Sequence, residues 1–128
     1  MLTILVADDE EAIVELIRCT LEDDHVRVVE ALDGVAALRV AAEARPDLAL
    51  LDVRMPSMDG LEVCRRIRAM PACASAKIVM LTAAGQADDR ARGLAAGADE
   101  YLTKPFSPLA LLSLVRSLVP EVSAWPAT

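Results

Sequence analysis

Asp8 and Asp9 stand side by side near the start of the chain. Asp52, Thr82 and Lys104 follow at intervals of about two, one and one strand–helix units. Each position comes just after a short apolar or β-favouring run: Leu2 to Ala7, Leu48 to Leu51, Lys77 to Leu81 and Glu100 to Thr103. Ligands of an open parallel sheet bind beyond the carboxyl ends of its strands, so these five side chains are expected to share one rim. Three carboxylates in one crevice repel one another. At about 4 Å and an effective dielectric of about 20, each pair costs about 4 kcal/mol. A proton, a lysine or a cation has to relieve that cost. A hard, oxygen-liganded dication fits, and Mg²⁺ fits best, because it takes few protein carboxylates, keeps waters and leaves a position for a phosphate oxygen. Lys104 adds a second positive centre and Thr82 a hydroxyl donor. Together they describe a pocket for a phosphoryl group, with an aspartate as nucleophile.

The elements that must position this rim alternate along the chain. Helical spacing of Ile13, Leu16, Ile17 and Leu21 predicts a helix over Glu10 to Glu22. Val26 to Ala31 reads as a second strand, and the Ala-rich stretch Gly34 to Glu43 as a helix stopped by Pro46. Pro56, Ser57, Asp59 and Gly60 make Asp52 to Gly60 a loop, with Asp59 as N-cap of a helix over Leu61 to Met70. A helix over Ala87 to Ala96 is closed by Gly97, and the last, Ser107 to Val119, by Pro120. Five strands alternating with five helices predict a doubly wound α/β fold, a parallel sheet covered on both faces.

Composition narrows the function further. The chain has 128 residues, 55% of them hydrophobic and 26% charged, so it reads as one domain, residues 1–119, with a tail or linker stub at 120–128. A net charge of −7 leaves no basic footprint for nucleic acid or an anionic membrane. With 2% aromatics there is no stacking platform for bases. No apolar run reaches the ~18 residues of a bilayer span, and no signal peptide is visible. Cys19, Cys64 and Cys73 form no CxxC and read as reduced, small core residues of a cytosolic protein.

The constellation resembles the receiver domain of two-component response regulators, the CheY-like family that takes a phosphoryl group from a histidine kinase. The matching residues run in order: Asp8-Asp9, Asp52-Val53-Arg54-Met55-Pro56, Asp59-Gly60, Thr82-Ala83, Gly97-Ala98-Asp99-Glu100-Tyr101 and Lys104-Pro105-Phe106. They span Thr3 to about Val119. The resemblance implies strand order 2-1-3-4-5 and a role for each residue. Asp52 is the phosphoacceptor. Asp9 ligates Mg²⁺ directly, Asp8 mainly through water, Asp52 by its carboxylate and Arg54 by its backbone carbonyl. Lys104 pairs with one phosphoryl oxygen and Thr82 hydrogen-bonds another. Tyr101 swings inward as Thr82 moves, and the Lys104–Pro105 bond is cis, which an X-Pro bond permits at small cost. Arg54 departs from the short polar residue some members place there.

The implied function is a phosphoacceptor signalling module, not a classical enzyme, with self-phosphorylation and self-dephosphorylation only. Its implied partners are a histidine kinase or phosphotransfer protein and an output partner. Leu111, Leu112, Leu114, Val115, Leu118 and Val119 cover more of the last helix than packing on a sheet needs. Its face at Leu111, Leu114 and Leu118 is therefore expected to be an output or homodimer surface, altered through Thr82 and Tyr101. Two alternatives fit less well. A haloacid-dehalogenase-type phosphatase needs a DxD pair at the first strand and a cap domain. A pseudo-receiver, acting without phosphorylation, would lack a pocket residue, and none is missing.

Overall fold

A computed structural model describes residues 1–83 and 87–119. The expected tail at 120–128, including the Pro120 stop, lies outside the described residues. Strands and helices alternate as β1 (Leu2–Ala7), α1 (Glu11–Leu21), β2 (Val26–Ala31), α2 (Gly34–Ala44), β3 (Leu48–Asp52), α3 (Gly60–Ala69), β4 (Lys77–Ala83), α4 (Ala87–Ala95), β5 (Glu100–Lys104) and α5 (Pro108–Leu118). A single 3₁₀ turn at Pro71–Cys73 is the one described element that the hydrophobic periodicity does not predict. The five strands pair in parallel in the order β2-β1-β3-β4-β5, as expected.

Period-two alternation gives the sheet two apolar faces. Ile4, Val6, Leu48, Leu50, Val79 and Leu81 point to one, where Val14, Ile17 and Leu21 of α1 meet Leu111 and Val115 of α5. Leu5, Ala49, Leu51, Ile78 and Met80 point to the other, under α2, α3 and the turn after α4. Each fully buried Leu or Ile in these layers contributes about 1.5–3 kcal/mol. The helices start on side-chain caps that accept backbone N–H groups: Asp33 from Ala36 at 2.8 Å, Asp59 from Glu62 at 2.9 Å and Ser107 from Ala110 at 3.0 Å.

Three strands run further than their apolar residues suggest. β3 includes Asp52, β4 includes Thr82 and Ala83, and β5 includes Lys104. A parallel ladder is made by backbone groups, so it continues one or two residues past the point where side chains turn polar. The site residues are therefore held by the sheet's own hydrogen bonds. A second difference concerns Cys19, which is exposed on α1, whereas Cys64 and Cys73 are buried as core residues. A third concerns α5. Leu111 is fully buried against the core, in line with Val115 and Val119, so it forms no output face. Leu114 and Leu118 are half-buried, and the exposed leucine of this helix is Leu109, at 75%.

Candidate functional site

Register brings the acids together. Ala7 of β1 pairs with Leu51 of β3, so Asp8 and Asp52 lie level, one step further along. Asp52 pairs with Leu81, and Ala83 pairs with Lys104, which sets Thr82 and the lysine on the same rim. Gly60 closes the floor behind Asp52: a Cβ there would meet the Asp52 carbonyl oxygen at 2.0 Å. Only glycine lets the start of α3 approach this closely.

Ligand oxygens of Asp8, Asp9 and Asp52 lie within 4.8 Å of one another. Asp8 and Asp52 are buried, whereas Asp9 is exposed. The Lys104 ammonium sits on this cluster, 2.7 Å from Asp8 Oδ2, 3.0 Å from Glu10 Oε1 and 3.5 Å from Asp52 Oδ2. The Arg54 backbone N–H donates to Asp52 Oδ1 at 3.3 Å. The cleft above, about 330 Å³, is lined by Asp9, Glu10, Asp52, Arg54, Ala83 and Lys104, among others.

Burial is the main cause that pushes the Asp52 carboxyl up to about 6, with the Asp8 charge second; Lys104 pulls the other way. Burial opposes the charge on Lys104, but its contacts with Asp8 and Glu10 and the charge of Asp52 outweigh burial and raise its pKa. The acids exceed the cation. Asp8 Oδ2 is buried and meets Lys104 as an ion pair without an aligned hydrogen bond. A buried anionic oxygen with spare lone pairs, beside two more hard oxygen donors, suits Mg²⁺.

Thr82 is buried at the end of β4. Alternation places it on the same sheet face as Met80, and Tyr101 packs into that cluster too. Tyr101 is half-buried, its hydroxyl accepts a hydrogen bond from Arg90, and the Arg90 guanidinium lies 3.9 Å from the ring centroid. The Lys104–Pro105 peptide is cis. All seven expected site residues thus belong to the rim or to the strands that feed it. Two participants escape sequence reasoning, Glu10 on the lysine and Arg90 on the tyrosine. Glu10 adjoins Asp8-Asp9 and offered a signal; Arg90 offered none.

An acid triad with a lysine on it, at the carboxyl edge of a 2-1-3-4-5 sheet, defines a class of phosphate-handling signalling domain. Residues 4–116 match the response regulator receiver domain family, and the chain belongs to it. It is a phosphoacceptor signalling domain of the two-component type. It is 44% identical over 116 residues to the alkaline phosphatase synthesis transcriptional regulatory protein PhoP of Bacillus subtilis, covering 91% of this chain and 48% of that protein. It is 44% identical over 115 residues to the response regulator PleD of Caulobacter vibrioides, covering 90% of this chain and 25% of that protein. The chain thus spans about half, or less, of the length of these curated relatives. Among solved structures, chemotaxis protein CheY4 of Vibrio cholerae superposes with a TM-score of 0.86 at 34% identity, over 93% of this chain and 99% of that one. The receiver domain of the sensor histidine kinase PA1611 of Pseudomonas aeruginosa, with a magnesium ion coordinated in its active-site cleft, has a TM-score of 0.83 at 33% identity, over 91% and 96%. Receiver domains are signalling proteins that act with histidine kinases and output domains. None of the described helices is long and apolar enough to cross a membrane.

Proposed function

We propose that this chain accepts a phosphoryl group on Asp52 from a phosphohistidine of a kinase or phosphotransfer protein in the cytoplasm. A carboxylate oxygen of Asp52 attacks phosphorus, the P–N bond breaks, and the imidazole leaves with the bonding pair. Asp9, Asp52 and the Arg54 carbonyl would hold Mg²⁺ directly, and Asp8 mainly through water. That ion, when bound, neutralises the phosphoryl oxygens and the crowded carboxylates. Lys104 pairs with one phosphoryl oxygen and Thr82 donates its hydroxyl to another. Small acyl phosphates serve as alternative donors, and water slowly hydrolyses the acyl phosphate, which releases inorganic phosphate and restores the Asp52 carboxylate.

The observation that carries this reading is the meeting of Asp8, Asp9 and Asp52 within 4.8 Å, with Lys104 on top of them. On phosphorylation, Thr82 moves toward the new oxygens and Tyr101 follows into the space it leaves. The surface of α4, β5 and α5 then changes, with coupling on the usual scale of about 1–3 kcal/mol. An output partner or a second copy docks there, on Leu109, Leu114 and Leu118 of α5. Intact-mass measurement after incubation with acetyl phosphate and Mg²⁺ tests the acceptor. One phosphoryl group is expected on the wild type and none on Asp52→Asn. Full uptake by the variant removes Asp52 from the role, and no uptake by either protein favours a phosphorylation-independent interaction module.

A further inference from the structure

The three carboxylates on Lys104 are not equivalent. Asp8 and Asp52 are buried and belong to the acceptor site, whereas the Glu10 side chain is 62% exposed and belongs to neither the acid triad nor the sheet. Its main chain is pinned: the Glu10 N–H donates to Asp8 Oδ1 at 2.8 Å, and its carbonyl accepts the N–H groups of Ile13 and Val14. Glu10 therefore occupies the N-cap of α1, but its side chain makes no cap hydrogen bond. Asp, Asn, Ser or Thr is the usual choice there, because a short side chain reaches the free N–H groups of the first turn. Glutamate is one carbon too long for that purpose and instead reaches the amine of Lys104, at the far end of the sequence.

Resting on the acceptor reading above, we propose that Glu10 is a positioning residue that competes with the phosphoryl group for Lys104. In the unmodified protein the amine lies 2.7 Å from Asp8, 3.0 Å from Glu10 and 3.5 Å from Asp52, so the two acids that follow β1 hold it closer than the acceptor does. A phosphoryl oxygen on Asp52 must win the amine from Glu10, and part of the attraction of the new pair is offset by breaking the old one. Because Glu10 is exposed, the competition is a modest one of surface ion-pair size. It weakens the grip on the phosphoryl group without altering the nucleophile.

Two substitutions separate contact from charge. Glu10→Gln removes the charge. Glu10→Asp keeps the charge but withdraws the carboxylate by one C–C bond, about 1.5 Å, out of reach of the amine. Titration with beryllofluoride and Mg²⁺, followed by the amide resonance of Ala83, gives the affinity for a phosphoryl mimic. Both variants are expected to bind about two- to five-fold tighter than the wild type. In metal-free protein the ¹⁵N resonance of the Lys104 ammonium is expected to shift in both. Unchanged affinity in both variants, or tightening in Glu10→Gln alone, overturns competition by contact. Failure of the wild type itself to bind the mimic overturns the acceptor reading instead.

Discussion

Arg68 and Lys104 lie at opposite ends of the sheet, and each gathers several acceptors. Arg68, on α3, donates to Gly97 O at 2.8 Å and Ala74 O at 3.3 Å, to Ala76 O, and to Asp99 Oδ2 at 2.6 Å. Asp99 also accepts the Ile78 N–H at 2.8 Å, at the start of β4. Three of these partners are neutral carbonyls and one is a carboxylate, so the charges balance and all three guanidinium nitrogens donate. Lys104, at the end of β5, instead faces Asp8, Glu10 and Asp52, with Asp9 beside them. One amine cannot satisfy that much negative charge. A balanced cluster fixes α3, β4 and the loop before β5 in one arrangement. An unbalanced one stays ready to accept a further cation or to release its lysine to a new anion.

The imbalance has the largest expected consequence, in the pH dependence of stability. Asp52 has an ordinary pKa of 3.8, raised in the fold to about 6. Between those values the folded protein binds more protons than the unfolded chain, so its stability falls as pH rises. The contribution is complete below the unfolded value and is lost as pH rises through about 6, a change of at most about 3 kcal/mol, less what solvent screening removes. Thermal unfolding of metal-free protein between pH 4 and 7 checks this. Asp52→Asn should flatten the profile, and Mg²⁺ should shrink the slope by favouring the ionised carboxylate. An identical slope in Asp52→Asn removes Asp52 as its source.

The Arg68 end supplies the next effect. Arg68→Ala takes this donor from three carbonyls and leaves the Asp99 carboxylate with the Ile78 N–H, at a cost of about 2 kcal/mol. Mg²⁺ acts at the other end of the sheet, so it should raise the melting temperature of Arg68→Ala by the same amount as that of the wild type. In Lys104→Ala the acids have lost their cation, and the rise on adding Mg²⁺ should be larger than in the wild type. Equal rises in all three proteins would mean that the two clusters do not differ in the way their charges suggest.

This contrast also separates what the sequence could tell from what it could not. Asp8, Asp52 and Thr82 were legible because a buried strand is an apolar run and its end is marked by the first polar residue; Asp9 comes next in sequence, and Lys104, at the end of a β5 that holds Glu100 and Thr103, was legible from the strand–helix alternation and the resemblance. Parallel order then does the rest. The N-cap at Asp59 was legible because its chemistry is local, decided within three residues. Glu10 on Lys104 and Arg68 on Asp99 were not, since neither pair shares an element and no periodicity links them. The phase of α5 was not legible either. Six apolar residues on eleven positions allow several buried stripes, and only the packing against α1 selects Leu111 and Val115 and leaves Leu109 in water.

Arg90 is a third cation, between the other two in character. It is exposed, and its described contacts are with a single aromatic residue: the guanidinium lies 3.9 Å from the Tyr101 ring centroid and donates to the hydroxyl. An exposed pair of this kind is worth about 0.5–1 kcal/mol. That is small beside the Arg68 cluster but comparable to the coupling between an acceptor site and its output surface. Arg90 thus gives the half-buried ring an exposed partner, beside its packing on the Met80 cluster. In Arg90→Ala that partner is gone, and the fraction of rings turned toward Thr82 in unmodified protein should rise by about two- to five-fold. Side-chain NMR couplings of Tyr101 report the populations directly. Arg90→Lys keeps the charge but loses the flat stacking surface, so it should fall between the two. A ring population that ignores both substitutions would place the restraint on Tyr101 in the core packing alone.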